Sequence, residues 1–184
     1  MKTRTRVLTG TALAVALGAG AFGAVSASAT PAQTAQASVA GKKDGPGEKD
    51  FTTSTHLTVD AATRAAQAAL RAAAAENQKV SVAVVDRNGN TVVTLRGDGA
   101  GPQSYESAQR KAFTAVSWNA PTSVLAGRLA QTPNLKDIPG TLFLGGGTPV
   151  QANGAPVAGI GVAGAPSGDL DEKFAKAGVD ALGK

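Results

Sequence analysis

The stretch from residue 80 to residue 95 constrains the fold most strongly. A short, mostly β-branched run covers residues 80–85, and a second one covers residues 91–95. The polar turn between them contains the pair Asn88-Gly89, which is a strong signal for a β-hairpin. The chain therefore contains antiparallel strands, and its remaining segments must cover the apolar faces of a sheet.

Helical and extended patterns alternate along the rest of the chain. The apolar spacing predicts a helix from an N-cap at Thr58 to about Asn77, and further helices over 104–119, 121–130 and 169–182. Short strands are predicted at 141–144, around Val150 and at 157–162, the last two joined by Asn153-Gly154. The order α, ββ, αα, βββ, α predicts an α+β fold, in which helices cover a mainly antiparallel sheet of about five strands.

The N-terminus has the pattern of a secretory signal peptide. Lys2, Arg4 and Arg6 precede an apolar run over 7–25, and the small residues 27–29 follow it. The run lacks the basic flank of a membrane anchor, so we expect residues 1–29 to be removed, leaving no membrane span. Residues 30–55 are polar and predict a flexible linker, and residues 56–184 predict one domain. The expected location is extracellular.

Composition excludes several classes of function. The chain has 18 basic residues, three of them in the leader, against 13 acidic residues, so the mature domain is close to neutral. It has only seven aromatic residues, and both facts argue against a nucleic-acid partner. With no Cys and the single histidine His56, thiolate chemistry is absent and a zinc centre is disfavoured. A Ser/His/Asp triad would have to use His56, at the seam of linker and domain, where a solvated histidine is the simpler interpretation.

Three local patterns each have a functional and a structural interpretation. Gly159-x-Gly161-x-x-Gly164 fits a dinucleotide motif, but too few residues follow for a second parallel strand, which favours a glycine-rich strand packed against helices. Asp169 and Glu172 could chelate a hard cation such as ferric iron, or could simply complement a helix dipole.

The third pattern is the group Arg110, Lys111 and Thr114 on one predicted helix. Two cations and a hydroxyl at this spacing could hold a dianionic ligand beside an oxygen donor. The alternative is a solvated basic face with a threonine bonded to its own helix.

Four blocks in order carry a resemblance to a known family. They cover residues 84–89, 107–115, 145–150 and 157–165, and the residues Asp169 and 175–178 follow them. Their sequences and spacing resemble the GlcG/HbpS family over essentially all of 56–184, and the leader resembles that of its secreted haem-binding branch.

The resemblance implies a profilin-like layered domain that assembles into a homo-octamer. It implies an extracellular protein that binds haem b, acts in haem scavenging or storage and in redox or iron-stress sensing, and serves as accessory to a membrane sensor histidine kinase of a two-component system. Two alternatives stay open: a haem-degrading enzyme, and an interaction module with no role in haem binding.

The family's haem iron meets a threonine in the helix after the hairpin, and the matching block places that role on Thr114. We infer from geometry that Arg110 and Lys111 contact the propionates. Common protein ligands of haem iron are His, Cys, Met and Tyr, so His56 is the main rival and Tyr105 the other. Residues 76–79 depart from an acid-x-x-acid iron motif of some secreted relatives, because they contain the single acid Glu76.

Overall fold

The computed structural model describes residues 47–183, which hold four α-helices and a four-stranded sheet. The predicted signal peptide and most of the predicted linker lie outside these residues. The helices are α1 (Val59–Ala75), α2 (Pro102–Trp118), α3 (Thr122–Gly127) and α4 (Gly168–Val179), and the strands are β1 (Ser81–Asp86), β2 (Thr91–Arg96), β3 (Gly147–Ala152) and β4 (Ala155–Ala163). Short 3-10 turns cover Glu48–Asp50, Arg128–Ala130 and Pro133–Asp137.

The sheet is antiparallel throughout, with the strand order β2-β1-β4-β3. Its first hairpin confirms the strongest sequence prediction: the Asp86 carboxylate accepts hydrogen bonds from the backbone N–H groups of Asn88 (2.8 Å) and Asn90 (2.9 Å). The second hairpin turns at Asn153 and Gly154, both with positive φ as a type I′ turn requires. These two hairpins, joined through β1 and β4, confirm the α+β prediction.

The predicted strand at 141–144 is wrong, and the sheet has four strands instead of about five. The segment before it forms a type II-like turn, with Pro139 followed by Gly140 at φ +78° and the Thr141 N–H bonded to the Ile138 carbonyl at 3.3 Å. The next amide, that of Leu142, bonds to a threonine side chain of α2. This segment therefore covers α2 and does not join the sheet.

Helices cover both faces of the sheet. Helices α1 and α4 pack together on one face, where Gly178 approaches Ala65 and Ile160. Their shared core is mostly alanine, valine and isoleucine around the single large residue Phe174.

Helix α2 packs on the other face of the sheet. The backbone of α2 approaches Gly159 and Gly161 so closely that a Cβ on either would overlap a carbonyl oxygen of α2. The glycine-rich motif therefore serves close packing of a helix on a strand, as the structural interpretation predicts.

Helix α1 begins at the predicted N-cap, where the Thr58 hydroxyl accepts a hydrogen bond from the Ala61 N–H at 3.2 Å. Within residues 47–183, no helix is both long enough and apolar enough to cross a membrane.

Candidate functional site

A groove runs between the exposed side of α2 and the first hairpin. Helix α2 turns its alanine stripe towards the sheet, so the residues beside that stripe reach the rim of the hairpin. The groove has a volume of about 180 Å³ and is lined by Val85, Gly89, Thr91, Gln109, Arg110, Phe113 and Gly140. It thus combines an aromatic wall with one cationic side chain.

Arg110 is the cation of this groove. Its side chain is 42% exposed, and its nearest acidic group is Glu106 one turn earlier, at 3.7 Å between Nη1 and Oε1. A surface pair at this distance contributes little, about 0–1 kcal/mol. The guanidinium is therefore free to bind an anionic group that enters the groove.

Thr114 lies behind the groove and is fully buried. Its hydroxyl donates to the Arg110 carbonyl and accepts from the Leu142 N–H, both at 2.8 Å. The family resemblance predicted that this oxygen would lie beside the haem iron. In the structure the oxygen is enclosed between α2 and the turn at 138–142, and it does not open into the groove.

Lys111 does not share a face with Arg110. Its side chain is only 5% exposed, and its Nζ donates to the Asp171 carboxylate at 2.7 Å and to the Val162 carbonyl at 3.1 Å. The idea of a solvated basic face is therefore wrong for Lys111, and of the two predicted propionate contacts only Arg110 lies at the groove.

Sequence reasoning missed Asp171, the partner of Lys111. Asp171 is 3% exposed, and burial raises the pKa of its carboxyl, while Lys111 and the backbone N–H groups of Ala165 and Gly164 oppose that shift. The sequence did contain a signal that Asp171 is buried. Asp171 lies three residues before Phe174 and seven before Gly178, so all three share the buried stripe of α4.

His56 lies on the other side of the sheet. Its Nδ1 is 3.9 Å from the Asp86 carboxylate, and its Nε2 is 2.7 Å from the Ser54 hydroxyl. Asp86 is on the same face of β1 as Val82 and Val84, and this face packs against α1. Thr114 belongs to α2, which packs on the opposite face. Within one chain the structure therefore does not bring His56 and Thr114 together.

Local hydrogen bonds set the pKa of the Asp86 carboxyl. Burial would raise the pKa of the Asp86 carboxyl, but hydrogen bonds from Asn90 and Asn88, with the nearby His56, hold that pKa below its usual value. Tyr105 stands on α2, 44% exposed, two turns before Phe113.

Asp169 and Glu172 line a separate hollow of about 280 Å³ beside α4. Both Glu172 oxygens are already bonded, to the N–H and hydroxyl of Ser123 (3.0 and 2.6 Å) and to the Gly146 N–H (3.3 Å). Glu172 thus holds the first turn of α3, a role that neither sequence interpretation foresaw. Residues 47–183 contain no group of three or more His, Cys, Asp or Glu side chains arranged for a metal ion.

A third hollow, of about 380 Å³, lies at the C-terminal end of α1. It is larger than the groove but is lined by Leu70, Ala74, residues 77–80, Gly97 and Asp98, none of which belongs to α2. The size of a hollow therefore does not identify the site, and the groove is favoured by the residues that line it. Glu76, the single acid of the segment 76–79, is paired with Lys173 of α4 at 2.6 Å.

Comparisons with known proteins agree with this architecture. A family model described as haem degrading protein HbpS-like matches residues 57–180. HbpS of Streptomyces reticuli, crystallised as a double mutant, is 74% identical with a TM-score of 0.75, and the match covers 76% of this chain and 96% of that one.

Two more distant structures share the fold. The ORFY protein of Klebsiella pneumoniae is 27% identical, with a TM-score of 0.67 and coverage of 71% of this chain and 93% of that one. A haem complex of PduOC is 25% identical, with a TM-score of 0.65 and coverage of 70% and 96%. No curated protein matches the sequence. Because the family model spans more than half of the chain and agrees with the layered α+β fold, the chain belongs to the HbpS-like family.

Proposed function

We propose that this protein binds haem b in the groove between α2 and the first hairpin. The family description and the haem complex of the PduOC structure support a haem-related function. The observation that carries the proposal is that the Phe113 ring and the partly exposed Arg110 guanidinium line one groove on the helix that also carries Thr114.

The groove residues fit the chemistry of haem. A porphyrin has an apolar face, which suits Phe113 and Val85, and anionic propionates, for which a guanidinium is a geometrically matched partner. When bound, the iron supplies redox chemistry that side chains lack. At about 180 Å³ the groove is below the usual 300–1,000 Å³ of small-molecule sites, so one chain covers only part of a tetrapyrrole. A homo-oligomer, the octamer implied by the resemblance, would cover the rest.

Thr114 remains the proposed iron ligand, with His56 and Tyr105 as rivals. A neutral hydroxyl is a weak donor compared with the common protein ligands of haem iron, so binding through Thr114 would be modest in affinity and readily reversed. Reversible binding suits scavenging, storage or sensing better than electron transfer. None of the three side chains lines the groove, but Thr114 follows the groove residue Phe113 directly on α2.

The wider role follows from the leader and the resemblance. We also propose that residues 1–29 direct export. The mature protein would then act outside the cell in the response to iron or redox stress. A partnership with a membrane sensor kinase is supported by the resemblance alone.

Haem degradation is the second candidate, because the family description names that activity. It is tested by following the haem spectrum of the complex with a reductant and oxygen. Loss of the spectrum that persists with added catalase supports an enzyme, and loss that catalase abolishes indicates free peroxide chemistry.

Replacing Arg110 by Ala is expected to weaken haem binding about fivefold to tenfold, because a half-exposed charge-assisted hydrogen bond to a propionate is lost. The measurement is a haemin titration followed at the Soret band. Arg71→Ala, an exposed arginine of α1 outside the groove, is the matched control and should bind like the wild type. Equal affinity of all three proteins would contradict the groove as the site.

A further inference from the structure

We infer that the segment Ile138–Leu142, here named the covering turn, is a gate that must open before Thr114 reaches a haem iron. The inference rests on the proposed function and concerns its regulation. It starts from a mismatch: the proposed ligand atom is the fully buried oxygen of Thr114, and the groove beside it does not include Thr114.

The hydrogen bonds of the Thr114 hydroxyl define what closes the site. A hydroxyl has one donor and two acceptor positions. The donor is used by the Arg110 carbonyl, and one acceptor position is used by the Leu142 N–H. One lone pair remains for a metal, but no path leads to it while Leu142 lies against α2. The Leu142 backbone therefore blocks iron from the free lone pair of the Thr114 oxygen.

The covering turn is placed to sense a ligand in the groove. Gly140 lines the groove, and a Cβ on Gly140 would contact the Phe113 ring at 3.6 Å. A planar ligand that displaces Phe113 would therefore press on the turn that holds Leu142 over Thr114. The first residue of this segment, Ile138, is 40% exposed, whereas Phe143, the residue that follows the segment, is buried against Trp118.

One side chain within the turn stiffens it. The Thr141 hydroxyl donates to the Ile138 carbonyl at 2.7 Å, in addition to the longer backbone bond between the same two residues. Apparent affinity for a ligand is reduced by the fraction of molecules in the competent state. Loosening this turn should therefore speed haem entry and tighten apparent binding.

The test compares Thr141→Val with Ser117→Ala. Ser117 makes the same kind of hydroxyl-to-carbonyl bond, to Phe113, but it is exposed and the bond lies within α2. Two quantities are measured: hydrogen exchange of the Leu142 amide in the free protein, and the limiting rate of haemin binding at high haemin by stopped flow. Thr141→Val should raise both about fivefold, the equivalent of one lost hydrogen bond, and Ser117→Ala should change neither.

The outcomes separate this inference from the proposed function. If haemin binds but its limiting rate does not follow Leu142 exchange across the three proteins, the gate is refuted and haem binding stands. Unchanged Leu142 exchange in Thr141→Val would refute the role given to the Thr141 hydroxyl, and with it the gate. If no protein binds haemin, the proposed function itself fails.

Discussion

Replacing either member of the buried Lys111–Asp171 pair is expected to lower the free energy of unfolding by about 3–5 kcal/mol. The two side chains are 5% and 3% exposed, so loss of one leaves the other charged group without a partner and almost without water. The variants are Lys111→Met and Asp171→Asn, measured by urea denaturation. The pair joins α2 to α4, and Gly146 lies against both side chains.

The Lys111→Met variant should depend on pH. Burial raises the pKa of the Asp171 carboxyl, and in this variant Lys111 no longer opposes that shift, so the folded state binds a proton that the unfolded state releases, and stability falls as pH rises above the usual aspartate range near 4. Asp171→Asn has no carboxyl at this position and should lack this slope. Unfolding of both variants at pH 5 and pH 9, relative to the wild type, measures the difference.

The matched control removes both charges. Lys111→Met combined with Asp171→Leu leaves no isolated charge, and replacing a buried pair by apolar residues is often neutral or stabilising. The double variant should therefore be more stable than either single variant and should lack the pH slope of Lys111→Met. Equal pH profiles for the two single variants would contradict the assignment of a buried, mutually dependent pair.

Replacing Gly161 by Ala is expected to destabilise the protein by about 3 kcal/mol or more, or to prevent folding. A Cβ at this position of β4 would overlap the carbonyl oxygen of Ala108 and crowd the backbone N of Ala112. The strand and the helix backbone would have to separate, and forced separation of packed elements typically costs 1–3 kcal/mol or more. Thermal unfolding of the purified variant measures the effect.

Gly127→Ala is the control for the Gly161 substitution. Gly127 ends α3 with helical φ and ψ, and a Cβ there meets nothing within 4 Å. Alanine should therefore stabilise by about 0.4–1 kcal/mol, because it restricts the unfolded chain. If Gly161→Ala unfolds at the wild-type temperature, α2 does not pack on β4 as the structure shows.

Local signals predicted the elements that depend on local chemistry. The N-cap at Thr58 and the turns at Asn88-Gly89 and Asn153-Gly154 are properties of a few adjacent residues, and the structure confirms them. The strand predicted at 141–144 failed because a short apolar run fits a strand and a buried loop equally well. The decisive contact, from the Leu142 amide to Thr114, joins residues 28 positions apart.

The site was predicted in composition but not in arrangement. Spacing grouped Arg110 with Lys111, yet Lys111 lies three residues after Ala108 and four before Ala115, on the buried stripe of α2. Opposite charges on the buried stripes of two helices indicate a buried pair, and Lys111 and Asp171 meet that criterion. The separation of His56 from Thr114 by the sheet depends on chain topology, which no local pattern contains.

The most direct test of haem binding in the α2 groove is nuclear magnetic resonance of the ¹⁵N-labelled protein with ferric haem. A paramagnetic iron broadens nearby amide signals, so the groove can be distinguished from the two other hollows described above. The account predicts loss of the Gly89, Gln109 and Phe113 signals, while those of Asp98 and Lys176, in the other two hollows, persist. Broadening centred on Asp98 or Lys176, or no broadening with excess haem, would contradict it.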